Sequence, residues 1–187
     1  MIEWNKVHLF WSDERACPPD HPDSNYNMAM QAGLSKMPIP KEQVHRMRAE
    51  EKIEENASAY EQEIAAALKG RPFDLVMLGM GEDGHTASLF PHTEALKVQN
   101  RLVTANYLPE KNVWRMTFTY DCINQASNIA IYVLGASKKV TLAEVLLSPN
   151  QFDRYPIQKV GTLTRHALWI VDEAAAAELL AKKEQKK

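Results

Sequence analysis

Short apolar runs alternate with amphipathic stretches along this chain. Residues 129–134 are apolar at every position, which predicts a strand buried on both faces of a sheet. Residues 49–69 instead place apolar side chains at spacings of three and four, which predicts an amphipathic helix that ends at Gly70. Because segments of the two kinds alternate, we expect an α/β fold: a three-layer α/β/α sandwich around a mostly parallel sheet.

The same patterns predict the other elements. Further strands are expected at 7–11, 75–78, 102–105, 114–119 and 167–171. Further helices are expected from Asp23 or Ser24 to Gly33, from Lys139 to about Leu147, and after Asp172, which is placed to cap a final Ala-rich helix. No internal repeat and no linker rich in Gly or Ser divides the chain, so we expect one domain over residues 1–187.

Composition narrows the class of protein. Of the 187 residues, 45% are apolar and 25% are charged, and the net charge of −2 gives no sign of a nucleic-acid-binding surface. No apolar stretch approaches the length of a membrane span, and residues 1–6 lack the pattern of a signal peptide. Cys17 and Cys122 fit neither a metal-binding spacing nor a disulfide framework. We expect a cytoplasmic monomer whose partner is a small molecule, with no nucleic acid and no membrane.

The most informative segment is a glycine-rich loop at 78–91, which directly follows the apolar run at 75–78. A short apolar run that ends in glycines is typical of a buried parallel strand opening into a loop. In open α/β sheets, ligands bind in the crevice at the carboxyl ends of the strands. The loop brings Asp83 and His85 to that crevice, and a histidine there exchanges a proton near neutral pH.

A dinucleotide-binding loop is an alternative interpretation of the same segment. Gly79, Gly81 and Gly84 satisfy the spacing G-x-G-x-x-G. That fingerprint also requires a full helix after the glycines and an acidic residue about 20 positions later. Pro91 interrupts any helix soon after Gly84, and residues 101–105 contain no acidic side chain. A dinucleotide site is therefore disfavoured.

Three polar segments follow three of the predicted strands. They are Asp13-Glu14-Arg15, Asp83-Gly84-His85 and Ser137-Lys138-Lys139. A parallel sheet would bring all three to one edge, where the cations favour an anionic substrate and the histidine supplies a general base. The residues alone therefore predict an acid–base enzyme that acts on a small anionic molecule.

Each of these features also has a simpler explanation. Asp13-Glu14-Arg15 by itself is typical of a solvated surface turn. Lys138 is typical of an exposed charge, although the helix dipole disfavours a cation at a helix start. His85 is as typical of a hydrogen-bonded structural histidine as of a catalytic one. The spacing of the acidic and histidine residues between 74 and 92 matches no common ligand pattern, so we expect no metal.

Taken together, several segments resemble the 6-phosphogluconolactonases, which share a fold with glucosamine-6-phosphate deaminases and ribose-5-phosphate isomerases. The resemblance spans nearly the whole chain, and the loop Gly-x-Gly-x-Asp-Gly-His-Thr-Ala-Ser-x-Phe-Pro is its most specific part. The segments that carry it are 10–15, 21–26, 78–91, 115–119, 135–138 and 168–175.

The resemblance implies hydrolysis of 6-phospho-D-glucono-1,5-lactone to 6-phosphogluconate in the oxidative pentose phosphate pathway. In that reaction His85 would take a proton from the attacking water and return it to the ring oxygen, and Asp83 would orient His85 or its water. Arg15 would neutralise charge on the phosphate or on the oxyanion, and Lys138 would help to hold the phosphate.

The remaining implied contacts come from the loop itself. The resemblance places Gly81, Gly84 and Thr86 among the substrate-binding residues, the glycines through backbone amides that donate to an oxyanion. Water is the nucleophile and a lactone carbonyl is already activated, so no cofactor is expected.

Members of this family are expected to carry a region ahead of the segment that starts here at Trp4. That region would contain a strand and a Ser-Gly-Gly-x-Thr-Pro loop that binds the substrate phosphate. Nothing in residues 1–187 matches that loop, so we expect an N-terminally shortened chain. Two alternatives to a competent lactonase stay open: an impaired or non-catalytic phosphosugar-binding fragment, and a deaminase or isomerase that acts on an aminosugar phosphate.

Overall fold

The computed structural model describes residues 2–184. Within them the chain forms eight strands: β1 Leu9–Phe10, β2 Asp13–Arg15, β3 Val44–His45, β4 Val76–Gly79, β5 Val103–Leu108, β6 Val113–Phe118, β7 Ile129–Val133 and β8 Leu168–Val171. It also forms five α-helices: α1 Asn25–Ala32, α2 Ile53–Leu68, α3 Tyr120–Gln125, α4 Lys139–Leu147 and α5 Glu173–Glu184. None of the helices in this range is both long and apolar enough to cross a membrane.

The strands form three sheets in the described part of the chain. β1 pairs with β3 in parallel, and β4, β7 and β8 form a second parallel sheet with β7 in the middle. β2, β6 and β5 form an antiparallel sheet with β6 in the middle. The α/β class with mostly parallel pairing is confirmed. The two parallel sheets are separate because, within residues 2–184, no strand lies between β1 and β4 and pairs with both of them.

Most predicted helices form where the apolar spacing places them. The buried face of α2 is made of Ala57, Tyr60 and Ile64, at the predicted spacing of three and four. The predicted cap of the last helix is also present, because Oδ1 of Asp172 accepts a hydrogen bond from the backbone N–H of Ala175. The sequence pattern does not predict the short elements β3 and α3.

The prediction of a loop at Asp13–Arg15 is wrong, because these residues form β2, antiparallel to β6. A strand of three charged residues has no alternation of apolar and polar side chains, so a hydropathy pattern cannot predict it. Side chains alternate across it nonetheless: Asp13 and Arg15 line a cavity, whereas Glu14 is 2% exposed on the other side.

Glu14 joins β2 to the start of α1. Its carboxylate accepts hydrogen bonds from the backbone N–H groups of Asn25 and Tyr26 and from the Ser24 hydroxyl. These groups lie at the helix N-terminus, where the helix dipole favours a negative charge. The buried carboxylate therefore fixes α1 against the strand that carries Arg15.

One face of the sheet β4-β7-β8 packs in the core. Leu78 and Ile131 on that face, Leu142 of α4 and Ala175 of α5 are each at most 3% exposed. The opposite face presents large apolar side chains to solvent, namely Met77 at 57%, Tyr132 at 36%, Leu168 at 63% and Ile170 at 38% exposure. The prediction of a strand buried on both faces at 129–134 is therefore wrong at Tyr132 and at Leu134, which follows β7 and is 60% exposed.

β1 and β4 run in the same direction on either side of a groove. Ser12 follows β1 and Met80 follows β4, and both residues line the same cavity, so the carboxyl ends of the two strands lie together. The groove between the strands has a volume of about 780 Å³ and is lined by residues 6–10 and 73–77 among others. The cavity at the carboxyl ends is the candidate active site.

Candidate active site

The loop after β4 is held in shape by its own backbone. The N–H of Gly81 donates to the carbonyl of His85 over 2.9 Å, and the N–H of Gly84 donates to the carbonyl of Gly81 over 3.1 Å. Gly84 has a φ of +79°, in the left-handed region that favours glycine, and a Cβ there would lie 2.7 Å from the Tyr155 ring. The glycines therefore fix the turn that ends at His85.

His85 and Asp83 form a hydrogen-bonded pair at the tip of this loop. Oδ1 of Asp83 lies 2.5 Å from Nδ1 of His85 and also accepts the backbone N–H of His85 over 3.1 Å. Burial alone would raise the pKa of Asp83, but these hydrogen bonds and the charge of His85 outweigh it and lower that pKa to about 2. The carboxylate is thus ionised at neutral pH and accepts a hydrogen bond from Nδ1–H, which leaves the lone pair of the neutral imidazole on Nε2.

The face of the His85 ring packs against Phe90. The two ring centroids are 3.9 Å apart and the ring planes differ by 19°. Both side chains line the cavity. Asp83 thus contacts the edge of the imidazole and Phe90 its face.

Two arginines form one wall of the cavity. Arg15 of β2 is the register partner of Arg115 of β6, so the two side chains lie on the same face of the antiparallel pair. Their Nε atoms are both buried and have no hydrogen-bond partner within residues 2–184. Burial, followed by the charge of Arg15, lowers the pKa of Arg115. Paired guanidinium groups with unused donors form a site for an anion such as phosphate or carboxylate.

Lys138 and Lys111 add positive charge from other sides. Lys138 ends a short 3-10 helix before α4, and its Nζ lies 4.0 Å from a carboxylate oxygen of Glu82. Lys111 extends from the turn between β5 and β6. Both line the cavity, which has a volume of about 520 Å³, a size typical of small-molecule sites.

Asp13 of β2 connects this strand to the loop that follows β4. Its carboxylate accepts hydrogen bonds from the Ser88 hydroxyl over 2.7 Å and from the Asn25 amide over 3.1 Å. Burial raises the pKa of Asp13, an effect that the Ser88 hydrogen bond and the charges of Arg15 and Arg115 oppose. The network holds the loop that carries His85 against the strand that carries Arg15.

The structure brings most of the sequence-predicted residues together. Arg15, Gly81, His85 and Lys138 line one cavity, and Asp83 lies directly behind His85. Arg115 and Lys111 belong to the same cavity but are not singled out by the sequence patterns. The signal for Arg115 is a basic residue inside the alternating strand at 114–119, and no pattern marks Lys111.

Gly84 and Thr86 lie elsewhere, which corrects their expected place on the cavity wall. Thr86 is 1% exposed, and its hydroxyl donates to the carbonyl of Gly79 over 2.8 Å. The amides of Gly81 and Gly84 are engaged within the loop, so they are not spare donors for an oxyanion. These residues shape the loop.

The donor set of the cavity suits an anion better than a metal ion. Four of its side chains are cationic, whereas the carboxylates of Asp13 and Asp83 are already hydrogen-bonded. Among residues 2–184, no group of three His, Cys, Asp or Glu side chains is placed to hold a metal ion. The cavity therefore combines a histidine that contacts a carboxylate and an aromatic ring with four cationic side chains.

Comparison with known proteins gives consistent results. Residues 1–169 match the model of the family described as glucosamine-6-phosphate isomerases/6-phosphogluconolactonase. A 6-phosphogluconolactonase from Nostoc sp. is 43% identical in an alignment 187 positions long, which covers 95% of this chain and 75% of the Nostoc protein. About a quarter of that relative therefore lies outside the match.

Solved structures give the same result for the fold. The crystal structure of 6-phosphogluconolactonase from Thermotoga maritima superimposes with a TM-score of 0.78 at 31% identity, covering 91% of this chain and 75% of that one. A monomeric glucosamine-6-phosphate deaminase superimposes with a TM-score of 0.75 at 18% identity, covering 92% of this chain and 75% of that one. The second similarity concerns the fold alone.

Proposed function

Because the chain belongs to the family of glucosamine-6-phosphate isomerases and 6-phosphogluconolactonases, we propose that it hydrolyses 6-phospho-D-glucono-1,5-lactone to 6-phosphogluconate. The observation that carries the proposal is the His85–Asp83 pair on the wall of a cationic cavity. A base beside an anion site is what hydrolysis of a phosphorylated lactone requires.

The proposed reaction uses water as the nucleophile. Nε2 of His85 takes a proton from water as its oxygen attacks the lactone carbonyl, and the carbonyl becomes a tetrahedral oxyanion. The oxyanion then collapses, the bond between the carbonyl carbon and the ring oxygen breaks, and His85 returns the proton to that ring oxygen. The new carboxylic acid then loses its proton to solvent water and becomes the carboxylate of 6-phosphogluconate. Asp83 keeps Nδ1 protonated, so that Nε2 is the basic atom throughout.

The cationic walls of the cavity are assigned to the charged parts of the substrate. Arg15 and Arg115 bind the phosphate, since their guanidinium groups offer unused buried donors side by side. Lys138 binds the same phosphate group from another wall. Its side chain is partly exposed and its ammonium is only weakly paired with Glu82, which supports this role. A substrate without the phosphate would leave these charges uncompensated.

The setting of the reaction is also part of the proposal. We place the protein in the oxidative pentose phosphate pathway of the cytoplasm, as a single-domain monomer. The two free cysteines, Cys17 and Cys122, are consistent with a reducing compartment.

The test is the initial rate of hydrolysis of freshly made 6-phosphogluconolactone, measured above the uncatalysed background. We expect the purified chain to accelerate hydrolysis and His85→Ala to abolish that acceleration. The matched control is His166→Ala, an exposed histidine outside the cavity, which is expected to keep the wild-type rate.

Two results would overturn the proposal. Release of ammonia from glucosamine 6-phosphate would make the protein a deaminase. Saturable binding of 6-phosphogluconate with no rate above background would make the chain a binding fragment. In the second case, adding back the part of the Nostoc relative that lies outside the match would be the next step.

A further inference from the structure

The turn between β5 and β6 places a lysine at the cavity. The turn covers residues 109–112, where the N–H of Asn112 donates to the carbonyl of Pro109 over 3.3 Å. The side chain of Asn112 also accepts a hydrogen bond from the Tyr107 hydroxyl over 2.5 Å. The backbone of Lys111 is therefore held, and its side chain reaches the wall formed by Phe90.

Lys111 contacts an aromatic ring in place of a carboxylate. Its Nζ lies over the ring of Phe90, 4.7 Å from the centroid. None of the ion pairs formed within residues 2–184 includes Lys111, in contrast to Lys138, which approaches Glu82. An ammonium at this distance is attracted to the face of the ring by its quadrupole.

The same Phe90 ring is stacked on the imidazole of His85, with centroids 3.9 Å apart. Lys111, Phe90 and His85 therefore form a continuous series of contacts that ends at the proposed base. Phe90 is only partly buried, so part of its ring faces the cavity, where Lys111 and His85 contact it. The cation that holds Phe90 then also limits the movement of the imidazole.

We propose that Lys111 is a positioning residue, which acts through Phe90 to keep the His85 ring in its reactive orientation. The inference rests on the proposed lactonase function and deepens it by adding a residue to the catalytic machinery. It separates Lys111 from Arg15, Arg115 and Lys138, whose proposed task is to bind the substrate anion.

The test uses Lys111→Met, which keeps most of the aliphatic side chain and removes the charge. Since an exposed cation–π contact has a strength of about 0.5–1 kcal/mol, we expect kcat to fall about two- to fivefold with KM unchanged. Lys111→Arg is expected to have the wild-type kcat, in contrast to Lys111→Met, because a guanidinium makes the same contact with the Phe90 ring. The matched control is Lys97→Met, which removes an exposed lysine whose charge is paired with Glu94.

A double-mutant cycle identifies the route of the effect. Phe90→Leu lowers kcat, and adding Lys111→Met to it causes no further loss if Lys111 acts through the ring. An additive loss would overturn the proposal. A rise in KM with kcat unchanged would also overturn it, because Lys111 would then be a substrate contact.

A second measurement does not depend on turnover. In NMR spectra of the chain, stacking on Phe90 shifts the ring protons of His85 upfield, and we expect this shift to shrink in Lys111→Met and to return in Lys111→Arg. An unchanged shift would overturn the positioning role even if the protein proved not to be a lactonase. Failure of the inference and failure of the proposed function are therefore distinguishable.

Discussion

A methyl group on the α-carbon of Gly81 would clash with the imidazole of His85, because it would lie far inside van der Waals contact of Nδ1 and Cε1 of the ring and 2.7 Å from Oδ1 of Asp83. The φ of Gly81 is not positive, so alanine fits its backbone conformation. We expect Gly81→Ala to displace the catalytic pair and to lower kcat at least a hundredfold while the fold is retained.

The chain offers a matched control two residues earlier. A Cβ on Gly79 would meet only the carbonyl oxygen of Tyr132, at 4.0 Å, an ordinary contact. Gly79→Ala is therefore expected to keep wild-type kcat, measured in the same lactone assay. Equal activity of the two variants would show that the close approach at Gly81 is unimportant for the pair.

A second prediction concerns the opposed guanidinium groups of Arg15 and Arg115. Arg115→Met removes one charge-assisted donor, so we expect the affinity for 6-phosphogluconate to fall about tenfold or more. It also removes the repulsion between two partly buried cations, so the melting temperature is expected to stay or rise. Isothermal titration and thermal unfolding measure the two effects.

Arg48→Met is the control for the loss of a positive charge, because Arg48 is exposed and lies outside the cavity. It is expected to change neither quantity. Wild-type affinity in Arg115→Met would remove Arg115 from the anion site.

A third prediction follows from the buried carboxylate at the start of α1. The N–H groups of Asn25 and Tyr26 donate to different oxygens of the Glu14 carboxylate, and Glu14→Gln replaces one of these oxygens with an NH2 group, so one of the two donors loses its acceptor. Because hydrogen bonds to a charged group contribute about 1.5–3 kcal/mol, we expect the free energy of unfolding to fall by about 2 kcal/mol. Urea denaturation measures it, with the exposed Glu42→Gln as the control that should change little.

A fourth prediction concerns pH. His8 of the segment before β1 shares a hydrogen bond of 2.9 Å with Nε2 of His45, whose Nδ1 lies 2.6 Å from Glu63. Burial, and then the positive charge of His45, lower the pKa of His8 below 6.5. The unfolded chain therefore binds a proton at this site more readily than the folded one.

The sign of the effect follows from linkage. A group with a lowered histidine pKa destabilises the folded state as pH falls through 6.5, and the loss ends below the folded pKa. We expect the melting temperature to decrease between pH 7.5 and pH 5.5, and His8→Gln to reduce that decrease. A melting temperature with the same pH dependence in the variant would contradict the prediction.

The sequence makes the catalytic loop predictable because its chemistry is local. Asp83 and His85 are two residues apart on a glycine-rich turn, so their contact needs no knowledge of the rest of the chain. The strand before the loop is a plain apolar run, and its structural bounds of Val76–Gly79 differ by one residue from the predicted ones. Short-range patterns are sufficient at both places.

The arginine pair is not predictable in the same way. Arg15 and Arg115 meet only because β2 pairs with β6 in one register, and a shift by one residue would place Met116 opposite Arg15. Nothing local to either residue specifies that register. Thr86 is the opposite case, because the sequence predicts it at the site and the structure does not place it there. Its hydroxyl donates to the carbonyl of Gly79 and does not face the cavity.

The groove between β1 and β4 separates the sheet β1-β3 from the sheet β4-β7-β8. The two sheets therefore differ in their local stability. β1 pairs over only two residues and on one side, whereas β7 is paired on both sides, so the amides of β1 are expected to exchange with solvent earlier than those of β7. β1 leads directly into the strand that carries Arg15. If Arg15 binds the substrate anion as proposed, occupancy of the cavity is expected to slow hydrogen exchange in β1 as well.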